Sequence, residues 1–179
     1  MRSPGRDPRK LAFYGVLLAF ALVLSYVESL IPFFFGVPGM KLGLPNLVVV
    51  LLLFAGNSKG GARSGALINL LRIVLAGFLF GSMFGILFSL AGAFVSFAGM
   101  LLIKSTGKFS ILGVSVAGGV LHNIGQLLVA AFIVKTAGIL YDAPFLVIAG
   151  ALTGALNGII AGGVQAQISG FIDREEKNS

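Results

Sequence analysis

Eight polar side chains interrupt the otherwise apolar runs of this chain: Glu28, Asn46, Asn69, Arg72, His122, Asn123, Gln126 and Asn157. Inside a bilayer each needs a partner or a purpose, because a polar group in hydrocarbon is costly. His122, Asn123 and Gln126 belong to the stretch HNIGQ. His122 and Gln126 stand at i, i+4, and Asn123 and Gln126 at i, i+3, so the three share one stripe of a helix. That stripe must face a bundle interior. Two uses fit it: hydrogen bonds that hold helices together, or the polar wall of a ligand site, for which Gly125 leaves space. Arg72, within INLLRIVLAG, has Asn69 three residues earlier on the same face. A buried guanidinium needs an acceptor. It either binds an anion in a central cavity or pairs with Glu28, the one acid at membrane depth.

The remaining inventory excludes most catalysis. The chain has no Cys and a single His, so thiol chemistry, disulfides and a zinc cluster are out. It has no paired-carboxylate motif, no Asp-rich DDxxD, no P-loop and no Gly-x-Ser-x-Gly. The expectation is a protein that is not an enzyme and needs no cofactor. Any active transport would draw on a partner or an ion gradient.

Composition says what surrounds these groups. The 179 residues are 57% hydrophobic and only 11% charged, and mean hydropathy is +1.02. Soluble domains carry about 25% charge, so this chain cannot coat a water-exposed surface. The expected fold is an all-α integral membrane bundle of six transmembrane helices, spanning residues 11–168. A basic N-terminus, 1–10, and a polar tail, 169–179, flank it. The spans are read at about Leu11–Leu30, Pro45–Phe54, Gly65–Leu79, Phe84–Ile103, Ile111–Val134 and Phe145–Ile168. A crossing takes about 20 residues. The second and third fall short of that and are the candidates for a tilted, broken or partly re-entrant segment.

Charge sets the orientation. Six spans put Arg2, Arg6, Arg9, Lys10, Lys59, Arg63, Lys104, Lys108, Arg174 and Lys177 on one side, leaving Lys41 and Lys135 opposite and Arg72 within a span. Positive loops stay in the cytoplasm, so both termini are expected there, in a multi-pass protein of a bacterial cytoplasmic membrane. The net charge of +7 is then a matter of orientation and anionic lipid contact. No basic stripe with interleaved aromatics calls for nucleic acid.

Two features concern packing and access. Gly150, Gly154, Gly158 and Gly162 recur at i, i+4 and form a smooth ridge on which another backbone can lie, more naturally inside the bundle than between subunits. Gly15 and Ala19 form a shorter version on the first span. The longest external loop, IPFFFGVPGMKLGLP, is jointed by Gly and Pro and carries Phe33, Phe34 and Phe35. It either caps a cavity or rests its aromatics at head-group depth.

Three segments, KLGLPNLVVVLLLFAG (41–56), LLRIVLAGFLFGSMFGILFSLAGAFVSFAGM (70–100) and FSILGVSVAGGVLHNIGQLLVAAFIV (109–134), carry a resemblance. Their most specific parts are KLGLPN, LLRI and GVxxxGxxxHNIGQ. They resemble the Gx transporter family, also called heptaprenyl diphosphate synthase component I, over nearly the whole chain apart from the tails. That family is similar to the substrate-binding S-components of energy-coupling factor (ECF) transporters. The similarity implies six helices with cytoplasmic termini, a gating loop after the first helix, and small residues on that helix that dock to a coupling subunit. Here Gly15-x-x-x-Ala19 stands in place of an Ala-x-x-x-Ala pair.

The leading expectation is a substrate-binding membrane subunit for uptake of a small vitamin-like or anionic molecule. Arg72, with Lys41 at the mouth, neutralises ligand charge. His122, Asn123 and Gln126 orient the ligand, Asn46 and Asn69 add polar contacts, and Phe33–Phe35 close over it. The alternative is a non-catalytic membrane subunit of heptaprenyl diphosphate synthase. The partners expected are the bilayer, a small-molecule ligand, and either an energising transporter module or a soluble prenyl synthase subunit.

Overall fold

In hydrocarbon every backbone N–H and C=O must be satisfied within the protein, which leaves helices as the default for apolar runs. The structure, a computed structural model, describes residues 8–31, 40–55, 58–135 and 137–177. It is an all-α membrane bundle. The elements are α1 (Pro8–Leu30), α2 (Asn46–Ala55), α3 (Ser58–Phe80), α4 (Met83–Ser105), α5 (Ile111–Val134), a short 3-10 helix (Ala137–Asp142) and α6 (Ala143–Lys177). Ser82 and Ser110 start α4 and α5 by accepting from the amides of Gly85 (3.1 Å) and Gly113 (3.3 Å).

Five of these helices, α1, α3, α4, α5 and α6, are long and apolar enough to cross a membrane. The six helices read from the sequence are present, and of the two read as short the second is the one that falls short of a crossing. The second span is a ten-residue helix, α2, about 15 Å long at 1.5 Å per residue, or half a hydrocarbon core. The third is full length. Its first half, SKGGARSGA, is small and polar and so escapes a hydropathy reading. At the far end, helical hydrogen bonding carries α6 to Lys177, through most of the segment read as a polar tail.

The short helix is the centre of the bundle. Every residue of α2 except Phe54 is buried, as suits a helix that is apolar all round. Leu47, Val49, Val50, Leu51 and Leu53 pack on Met100 of α4, Val114 of α5 and Ala161 of α6. Val48, Leu52 and Ala55 pack on Leu17 and Ala21 of α1 and Ile68 of α3. Its last carbonyls are also met from outside: the Lys104 ammonium donates to the Leu53 carbonyl, and Gln165 Nε2 donates to that of Phe54 at 3.1 Å.

The glycine ridge of α6 lies on α5. A Cβ on Gly150 would stand 2.6 Å from the Gly119 carbonyl oxygen, one on Gly154 2.5 Å from that of Ser115, and one on Gly158 2.9 Å from Leu112 Cα. Only glycine permits that backbone-to-backbone approach. Contact relaxes at Gly162, where a Cβ would be 3.4 Å from Ile111. Side chains bridge the seam: Ser115 Oγ donates to the Gly154 carbonyl at 2.7 Å. The pair on α1 behaves otherwise. A Cβ on Gly15 would meet nothing within 4 Å, and Ala19 is exposed. Expected to pack as a smaller ridge, Gly15 and Ala19 face outward. The face of α1 that packs carries Leu17, Ala21, Ser25 and Glu28.

Candidate functional site

Between α1 and α2 the chain enters the bundle without helical structure. Lys41–Gly43 are irregular, Leu44 and Pro45 form a turn, and Gly43 and Pro45 are buried. Such backbone is tolerated at membrane depth only where protein encloses it or where it lines a cavity. Its hydrogen bonds come from side chains of three helices. Gln126 of α5 holds both backbone groups of Lys41, accepting from the amide at 2.8 Å and donating to the carbonyl at 2.6 Å. Glu28 Oε1 of α1 accepts from the amides of Gly43 (2.6 Å) and Leu44 (3.2 Å). Asn157 Nδ2 of α6 donates to the Gly43 carbonyl at 3.1 Å.

Gly43 is fixed by conformation and by space. Its φ is +90°, and a Cβ there would stand 3.0 Å from Asn46 Nδ2 and 3.1 Å from His122 Cδ2. Gly43→Ala should therefore cost about 1–3 kcal/mol, read as a lower unfolding temperature of the detergent-purified protein. Ala at Gly15, which faces open space, should cost nothing by the same measurement.

Around this segment five helices place polar groups. His122 lies against bare backbone of α4, where a Cβ on Gly92 would stand 2.9 Å from His122 Nδ1. Arg72, 2% exposed, donates from Nη2 to Asn69 Oδ1 at 2.5 Å. Its charge acts on Glu28, Lys41 and His122, so the four groups occupy one electrostatic neighbourhood. Four buried atoms here have no hydrogen-bond partner among the described residues: Glu28 Oε2, Asn46 Nδ2, Arg72 Nε and His122 Nδ1. Native interiors leave few such atoms, and each calls for an explanation. Together they offer donors, an acceptor and one permanent cation, a set suited to a small polar or anionic ligand.

The expected residues divide in their roles. Arg72, His122, Asn69, Asn46 and Lys41 come together, with Lys41 half-buried at the edge. Gln126 and Asn123 are committed elsewhere, Gln126 to Lys41 and Asn123 Nδ2 to the Leu146 carbonyl at 2.8 Å. Both were expected to orient ligand, and both spend those atoms on the protein. Phe33, Phe34 and Phe35 lie outside the described residues. Glu28 was expected only as an ion-pair partner of Arg72. It latches segment 41–45 through Oε1, while its Oε2 and Arg72 Nε bond to nothing among the described residues. Asn157 joins the neighbourhood as well. For Asn157 the signal was a lone carboxamide beside Gly158 in an apolar helix.

The model of one family, heptaprenyl diphosphate synthase component I, matches residues 17–164. The chain belongs to that family. The matched range holds every group of the candidate site just described, from Glu28 to Asn157. No curated protein and no solved structure matches this component I chain. Among its described residues no cluster of three or more His, Cys, Asp or Glu could hold a metal ion.

Proposed function

We propose that the chain is a substrate-binding membrane subunit, similar to an ECF S-component, that takes up a small anionic molecule across a bacterial cytoplasmic membrane. The observation that carries this reading is a broken span whose irregular segment lies over unpartnered, buried Glu28 Oε2, Arg72 Nε, Asn46 Nδ2 and His122 Nδ1. Interrupted helices that expose backbone and polar groups near mid-membrane are the usual construction of transporter sites. Arg72 supplies the countercharge. Asn69 holds its guanidinium, and His122 and Asn46 supply further hydrogen bonds. The charge asymmetry supports an orientation with the Lys41 end of the bundle outside, on the side from which uptake would begin.

Native mass spectrometry of the detergent-purified protein tests this, by looking for a retained small anion and for partner chains. Arg72→Ala should reduce retention by about tenfold or more, the worth of one charge-assisted contact. Asn123→Ala should leave retention unchanged and cost about 1 kcal/mol of stability, because its amide bonds a neighbouring helix. Equal retention by wild type and Arg72→Ala would remove the site.

The family description favours a second reading, a non-catalytic membrane subunit that presents a lipid diphosphate to a soluble prenyl synthase. Co-purification separates the two: a prenyl synthase chain supports this reading, and an ATPase module supports uptake.

A further inference from the structure

α3 and α4 are joined through Gly81 and Ser82 and pack closely near that turn. Ile86 fills the groove over Gly77, and Ile73, Ile86, Leu90 and Ala93 form one cluster. Farther from the turn the helices leave between them a cavity of about 200 Å³, lined by Ala66, Asn69 and Leu70 of α3 and Ala93, Phe94 and Phe97 of α4. Phe94 is 78% exposed and Leu70 50%, so the cleft opens sideways, toward lipid. Its volume equals that of about seven liquid waters, enough for part of one hydrocarbon chain and too little for two.

One wall residue breaks the apolar pattern. Asn69 is 6% exposed and accepts from Arg72, whose Nε is buried without a partner. The cleft therefore runs from the bilayer to Asn69, the direct hydrogen-bond partner of the Arg72 guanidinium buried behind it. A plain acyl chain would satisfy its walls and leave the Arg72 Nε donor unanswered. A water-borne anion would meet the cation and leave an apolar cavity beside it. We propose that the ligand is a single-chain amphiphile with an anionic head, entering sideways from the bilayer, its tail between α3 and α4 and its head at Asn69–Arg72. This rests on the reading that Arg72 binds ligand.

The chain has no tryptophan, so Phe94→Trp provides a unique reporter in the cleft. In phosphatidylcholine nanodiscs, a brominated alkyl phosphate should quench it saturably at low mole fraction. Unbrominated alkyl phosphate should reverse the quenching, and inorganic phosphate should not. Arg72→Gln in the reporter background should raise the half-saturating fraction by about tenfold. Ala66→Phe, at an exposed lining position, should block the effect while the protein stays monodisperse. Quenching that merely tracks mole fraction, as brominated phosphatidylcholine would give, overturns the proposal. So does reversal by inorganic phosphate. If the reporter fails while Arg72→Ala still loses its retained anion by mass spectrometry, only sideways entry falls. If neither measurement responds to residue 72, the binding site falls with it.

Discussion

Glu28→Ala should destabilise the bundle by about 3–5 kcal/mol, the range for removing one member of a buried charged set. Two losses combine. The amides of Gly43 and Leu44 lose their shared acceptor, Glu28 Oε1, and an unsatisfied buried amide costs about 1–3 kcal/mol. Arg72 also loses the negative charge that acts on it. Glu28→Gln separates these effects, because a carboxamide oxygen can still accept from both amides while the charge is gone. The expected order of unfolding temperature is wild type, then Glu28→Gln, then Glu28→Ala. Limited proteolysis should cut near Lys41 in the Ala variant first. In the double variant Glu28→Gln, Arg72→Gln, the cost should be less than the sum of the two single changes, since each removes the other's uncompensated charge. Strict additivity would show that the two charges are not coupled.

Gly154→Val is the second large effect, at about 3 kcal/mol or more. The new side chain would meet the Ser115 carbonyl and Val116 Cα, where even a bare Cβ would lie 2.5 and 2.7 Å away. Those atoms are backbone of α5, so no rotamer change relieves the overlap. α6 would have to move off α5, breaking the Ser115–Gly154 and Asn123–Leu146 hydrogen bonds. Loss of a monodisperse peak in size-exclusion chromatography would report it. Gly163→Val, two turns and more along the same helix, faces open space and should elute normally. A monodisperse Gly154→Val protein would refute the close approach of the two helices.

The helical architecture was readable because hydrocarbon allows so few alternatives. Which residues are polar and buried was readable too, since Arg72, His122 and the rest stand alone in apolar runs. What each polar group does was not. Gln126 and Glu28 look like ligand contacts or ion-pair members until segment 41–45 is seen to lack helical hydrogen bonds. That demand arises from contacts up to 114 positions apart, as between Gly43 and Asn157, which no local pattern encodes. Gly15 teaches the same lesson for packing. Its spacing to Ala19 matches the ridge of α6, but small residues show only that an approach is possible, and no neighbour comes to α1 there. The length of α3 was hidden by chemistry of another kind: Gly60, Gly61, Ala62 and Gly65 lower the hydropathy of a true helix.

The enclosure of α2 has a bearing on how the protein is made. A ten-residue apolar piece is too short to lodge in the bilayer by itself as it leaves the translocon. Its walls come from α1 and α3, synthesised on either side of it, and from α4, α5 and α6, synthesised later. The heart of the molecule thus stays open until α6 emerges from the ribosome. A nascent chain halted before α6 would present α2 to quality-control proteases with one flank bare.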